Sequence, residues 1–259
     1  MSRLDELFAA CRAEGRAALM GYLPVGFPTY QESVDAMVAM VEAGVDLVEV
    51  GVPYSDPGMD GPVIQVAVDV ALRNKTRVAQ VFDAVAAVSP HAPAVVMGYW
   101  NPIERMGADR FASLLAAAGG SGAITPDLIP EEAGPWLEAA RAHDLDPVFL
   151  VAPSSSDARI EAVGRTNRGF VYAASTMGVT GTRDVVSDRA EELVARTRRH
   201  TQLPICVGLG VSDGDQAAEV AAYADGVIVG SALVRALQQG GVAGVRALAE
   251  DLAEGVRRR

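Results

Sequence analysis

Asp46-Leu47-Val48-Glu49-Val50-Gly51 is a short run in which both alternating sets of positions are apolar, interrupted by a single glutamate. Successive side chains of a strand point to opposite faces, so a run apolar on both is a strand covered on both sides. That is the signature of parallel strands between layers. Seven further runs of the same kind occur at 17–23, 94–100, 122–125, 147–151, 169–173, 204–208 and 225–230. They recur every 25–35 residues, roughly, with amphipathic helical patterns between them. Thr29-Tyr30-Gln31-Glu32 reads as a capping box for a helix that Gly44 closes. Pro130-Glu131-Glu132 opens another helix, and Ser212-Asp213-Gly214-Asp215 a third. Eight strand–helix units without a linker predict a closed (β/α)8 barrel, a single domain over residues 1–259. An extra helix precedes it at 1–16, and a closing helix with a basic end follows at 231–259. The competing arrangement is a doubly wound open sheet. Such a sheet usually carries a glycine-rich fingerprint after its first strand, where this chain has Leu23-Pro24-Val25-Gly26-Phe27-Pro28.

Composition narrows the partners. Half of the 259 residues are apolar and 21% are charged, which suits a buried core and not a disordered chain. A formal charge of −11 argues against nucleic acid and anionic membrane, which both call for a basic surface. It leaves room for a phosphorylated ligand, because backbone amides can hold a phosphate on an acidic protein. Cys11 and Cys206 are too far apart in sequence for a metal motif or a disulfide framework, and they suit a reducing cytoplasm. The first residues lack an apolar signal core, and no run of about 18 apolar residues follows. A cytoplasmic protein off the membrane is expected.

In such a barrel the chemistry sits at the C-terminal ends of the strands and in the loops after them. The three histidines do not qualify: His91 and His200 precede strands, and His143 ends a helix. No metal site is expected. Glu49 does qualify, since facing the helices it would be a buried charge without a partner. Two readings fit it: a group at the barrel mouth whose pKa burial raises, suited to giving and taking a proton, or a structural glutamate hydrogen-bonded in the lumen. Asp60 ends the loop after that strand. It is either a working carboxylate or a cap for the helix at Pro62, although Pro62 at the first helical position would make Gly61 the cap. Asp56 reads as a loop-shaping residue before Pro57. Gly208-Leu209-Gly210-Val211-Ser212 and Gly230-Ser231-Ala232 end adjacent strands and together suggest a phosphate site. Gly178-Val179-Thr180-Gly181 is either a further contact, a hinged lid or a plain turn. Tyr22, Met97, Tyr99, Ile124, Phe170 and Tyr172 lie in or at the ends of strands. Part of this set is core, and the rest suggests a flat apolar substrate moiety.

Glu49-Val50-Gly51-Val52-Pro53-Tyr54-Ser55-Asp56-Pro57, with Asp60-Gly61-Pro62 and Ile64-Gln65, strongly resembles the signature of the tryptophan synthase alpha subunit family. Tyr99-Trp100-Asn101-Pro102, the stretch from Pro126 to Glu132, Gly178 to Gly181, Gly208-Leu209-Gly210 and Gly230-Ser231 follow in the family's order, so the resemblance spans essentially the whole chain. It implies a TIM barrel and a lyase that cleaves indole-3-glycerol phosphate to indole and glyceraldehyde 3-phosphate. The acid–base glutamate falls on Glu49, and the aspartate that stabilises the indole nitrogen falls on Asp60. Phosphate contacts fall on Gly181, Gly210, Gly230 and Ser231, and the indole pocket on Tyr22, Met97 and Tyr172. Asp127 and Thr180 match positions linked to loop closure and to the partner. That partner would be a pyridoxal-phosphate-dependent beta subunit in an αββα assembly, with no cofactor in this chain. Phe27, Pro24, Gly58-Met59 and Thr176-Met177 depart from the family's usual residues, all in loops that close over substrate or face the partner.

Overall fold

A computed structural model of the chain describes residues 1–174, 183–208 and 210–258. Nine parallel strands form one sheet: β1 (Ala18–Pro24), β2 (Leu47–Gly51), β3 (Ala94–Met97), β4 (Gly122–Ile124), β5 (Asp146–Val148), β6 (Leu150–Val151), β7 (Val171–Ala174), β8 (Ile205–Gly208) and β9 (Gly226–Val229). Their order is β5-β4-β3-β2-β1-β9-β8-β7-β6. The two ends of that row are halves of one run, separated by Phe149 alone, so the sheet curls into a nearly closed barrel with the seam at that residue.

All eight expected strands are present, but the fifth is split. The cause is Asn167: its Oδ1 accepts the Phe149 N–H at 3.1 Å, and its Nδ2 donates to the carbonyls of Phe149 at 3.1 Å and Phe170 at 2.9 Å. A buried side-chain amide thus takes over the backbone groups that a strand neighbour would pair. The third run is shorter than expected because a helix starts at Trp100.

Around the barrel run α1 (Arg3–Ala13), α2 (Tyr30–Glu42), α3 (Pro62–Arg73), α4 (Val78–Val88), α5 (Trp100–Met106), α6 (Ala108–Ala117), α7 (Gly134–Ala142), α8 (Asp157–Thr166), α9 (Arg183–Arg198), α10 (Gly214–Ala221) and α11 (Ser231–Val256). Three expectations about them need correction. At α2 the Thr29 oxygen accepts the Glu32 N–H, but the Glu32 carboxylate takes the Thr29 hydroxyl instead of a backbone N–H, so the box is incomplete. Pro130–Glu132 forms only a 3-10 turn, and α7 begins at Gly134 beside Pro135. The closing helix is two helices joined at Gly241, whose φ of 59° and ψ of −154° suit glycine alone. Among the described residues no helix is long and apolar enough to cross a membrane.

Alternation sorts the strands into two cores. Val48 and Val50 join the layer under the helices, while Leu47, Met20, Val95, Ile124, Val148, Phe170, Cys206 and Ile228 fill the barrel. Leu4, Phe8 and Cys11 of α1 belong to that inner cluster, and the Phe8 and Phe170 rings lie 5.8 Å apart. The Arg3 guanidinium bonds the carbonyls of Ser89 and Gly119, which precede strands β3 and β4. Helix α1 therefore stoppers the N-terminal end, and the C-terminal end is left for a site.

Candidate active site

Glu49 is one of the inward residues of β2, with Tyr22 of β1 and Val95 of β3 as its partners in register. It is 1% exposed, and among the described residues its Oε1 has no hydrogen-bond partner. Burial pushes its pKa up from an ordinary 4.5 to about 8, because the charged form loses hydration without gaining a counter-ion. The lumen-bonded structural reading finds no support in this arrangement.

Asp60 lies where the β2–α3 loop returns to the barrel. Gly61 is the N-cap of α3, Pro62 takes the first helical position, and no side chain caps this helix. Asp60 is therefore not a cap, and its carboxylate faces the same cavity as Glu49. Burial raises its pKa from 3.8 to about 6, and the nearby Tyr99 hydroxyl opposes the rise.

That cavity occupies about 780 Å³ at the barrel mouth. Tyr22, Met97 and Tyr172 line it, as expected. Ile64, quoted from sequence only within the signature, completes the apolar wall with Leu150 and Ile228, which were not singled out, although Leu150 sits opposite Tyr172 in register and shares its facing. Both phenols stay protonated, held up by burial and by the two carboxylates. Ile124 is not brought to the cavity: it is fully buried in the inner cluster below, as is Phe170. Tyr99 stands behind the wall, its hydroxyl accepting the Met59 N–H at 2.8 Å. Asp127 holds the Trp100 N–H at 2.9 Å at the start of α5, and Asp56 accepts the Ser55 hydroxyl at 2.6 Å on the exposed loop.

Gly208, Gly210, Gly230 and Ser231 close the other end of the cavity. Gly210 has a φ of 77°, which glycine adopts without strain. Ser231 begins α11, whose N-terminus carries no side-chain cap. The start of α10 differs, because Asp213 caps it and the Asp251 carboxylate takes the Gly214 N–H at 2.6 Å. Two carboxylates would repel an anion there, so α11 is the better phosphate seat. Thr180 and Gly181, with Thr176-Met177 and Gly178, lie outside the described residues.

A parallel barrel with two desolvated carboxylates, an apolar slot and a free helix N-terminus at one mouth defines an acid–base enzyme for a small substrate with an apolar and an anionic end. The family model described as tryptophan synthase alpha chain matches residues 8–257. The tryptophan synthase alpha chain of Mycobacterium intracellulare is 60% identical over 259 residues, covering 100% of this chain and 96% of that one. A crystal structure of tryptophan synthase from M. tuberculosis, in its aminoacrylate-bound form, contains a chain 54% identical with a TM-score of 0.93, covering 99% of this chain and 100% of that one. The crystal structure of tryptophan synthase subunit alpha from Legionella pneumophila is 30% identical with a TM-score of 0.91, covering 99% and 98%. The chain belongs to the tryptophan synthase alpha chain family. It is a lyase of tryptophan biosynthesis that cleaves indole-3-glycerol phosphate.

Proposed function

We propose that Glu49 and Asp60 divide the cleavage between them. The bond to be broken joins C3 of the indole ring to the carbon of the glycerol chain that bears a hydroxyl. Glu49, protonated at neutral pH, gives its proton to C3, and the ring nitrogen becomes cationic. The Asp60 carboxylate stabilises that cation. Glu49, now ionised, takes the hydroxyl proton; the electrons of the O–H bond form the aldehyde of glyceraldehyde 3-phosphate, and those of the C–C bond return to the ring as indole. One carboxyl group of near-neutral pKa serves both proton transfers. The observation that carries this reading is the pair of unequal pKa values, about 8 for Glu49 and about 6 for Asp60, on groups facing one cavity.

The indole ring packs against Tyr22, Met97 and Tyr172, and the phosphate is held by backbone at Gly181, Gly210, Gly230 and Ser231, with Thr180 linked to loop closure. Indole passes to a pyridoxal-phosphate-dependent beta subunit in an αββα assembly, with Asp56 and Asp127 on the coupling side. The chain itself supplies no cofactor and works in the cytoplasm.

Indole release by Glu49→Gln and Asp60→Asn tests the assignment. Glu49→Gln retains substrate binding and loses cleavage by about three orders of magnitude or more, and Asp60→Asn is severely impaired. Turnover by Glu49→Gln within about tenfold of the parent would remove Glu49 from the mechanism.

A further inference from the structure

We infer that Asn167 is a positioning residue for the substrate: by clamping the seam of the barrel it fixes Leu150 and Tyr172, side by side across that seam, as one wall of the apolar slot. This rests on the reading above that the indole ring packs against Tyr172. Asn167 lies behind the wall and touches no substrate. It acts on the backbone just before each of the two residues.

Pairing across the seam is thin. Strands β6 and β7 share two register pairs, Leu150 with Tyr172 and Val151 with Ala173. On its other edge β7 makes four such pairs with β8. Toward the N-terminal end of the barrel, the Asn167 amide takes the place of the ladder. Its Oδ1 accepts the Phe149 N–H at 3.1 Å, and its Nδ2 donates to the Phe149 carbonyl at 3.1 Å and to the Phe170 carbonyl at 2.9 Å. Both hydrogens of the amide nitrogen are thereby used. Phe149 comes one residue before Leu150 and Phe170 two before Tyr172, so the amide holds both chains where they enter the wall. A slip of one residue there would turn Leu150 away from the cavity that it lines.

The clamp is itself held on every side. Asn167 is 6% exposed and is the C-cap of α8, its N–H donating to the Val163 carbonyl at 2.9 Å. The next amide, that of Arg168, donates to the Pro147 carbonyl at 3.0 Å. Gly169 follows with a φ of 73°, and a Cβ on it would come within 2.6 Å of Leu4 in α1. Val148 and Phe170 are fully buried in the inner cluster under the wall. A packed floor thus supports two side chains that face open space, and the height and facing of that pair depend on the amide behind them.

The test is the cleavage run backwards, with indole and glyceraldehyde 3-phosphate condensed by the full chain below the melting onset of each variant. The two substrates meet different ends of the cavity, so each KM reports on a different wall. Asn167→Ala raises KM for indole by roughly tenfold, and leaves KM for glyceraldehyde 3-phosphate within about twofold and kcat within about threefold. A merely structural role lowers the folded fraction, which lowers kcat and moves neither KM. An indole KM within about twofold of the parent's, or equal rises in both KM values, overturns the inference. Asn167→Ser keeps one donor and one acceptor; it shows a smaller rise of the same kind and serves where Asn167→Ala does not fold. Added to Leu150→Ala, Asn167→Ala raises the indole KM by less than about threefold more, since the wall it positions is already broken; the full tenfold, roughly, on top would contradict this. Tyr172→Ala separates the two levels. If it leaves the indole KM unchanged, the reading of the slot has failed; if it raises that KM while Asn167→Ala does not, the role of Asn167 has failed alone.

Discussion

Glu49 occupies a place where physics leaves few options. It is surrounded by strands, 1% exposed, and carries an oxygen without a partner among the described residues. A carboxyl group whose pKa is about 8 in the fold and 4.5 in the unfolded chain binds its proton more tightly when folded. Its contribution to stability is complete below pH 4.5 and is lost as pH rises through 8. Glu49→Gln, which stays neutral, therefore gains in melting temperature relative to the parent as pH goes from 5 to 9. Each kcal/mol is worth roughly 2–4 °C in a chain of this size. A gap between the two melting curves that does not widen with pH would show that Glu49 ionises freely in the fold. The importance of Glu49 was legible because it breaks a run apolar at both parities. Asp60 was legible only by half, since its neighbour Gly61 had to be recognised as the cap. Tyr99 was placed at the mouth, but its link to Met59 spans 40 residues and leaves no local trace. Ile124 was misplaced because alternation says which side of the sheet a residue faces and nothing about its height in the barrel.

At the scale of elements, the strand runs were readable because parallel strands covered on both faces must be apolar on both. The break at Phe149 was not, because its cause, Asn167, lies 18 residues further on. That asparagine satisfies three buried backbone groups, and Asn167→Leu leaves them without partners. Each such loss costs about 1–3 kcal/mol, and at roughly 2–4 °C per kcal/mol the three together lower the melting temperature by roughly 6–36 °C in a thermal scan. A drop under about 2 °C would mean that the seam pairs in some other way. Helix starts were read well where a side chain caps them, as at Thr29 of α2 and Asp213 of α10. Pro130 misled because proline marks a 3-10 turn as well as a helix start. The uncapped start of α11 carries the most information: its free amides face the cavity opposite the carboxylates.

For the whole molecule, the curled sheet gathers what the sequence scatters. Residues 22, 49, 60, 97, 172, 210 and 230 line one cavity because each lies on, or in the loop after, the C-terminal end of a strand in a common ring. A net charge of −11 is compatible with a phosphorylated substrate, since backbone amides can seat an anion without basic side chains. The central claim is that two carboxyl groups with pKa values raised by different amounts share the cleavage, one protonated and one ionised. The most direct test is kcat/KM for indole release from indole-3-glycerol phosphate between pH 4 and 9.5, with the beta subunit present. The account predicts a bell with an acid limb near 6, where Asp60 must ionise, and a basic limb near 8, where Glu49 must keep its proton. A profile flat from pH 5 to pH 9 would contradict it.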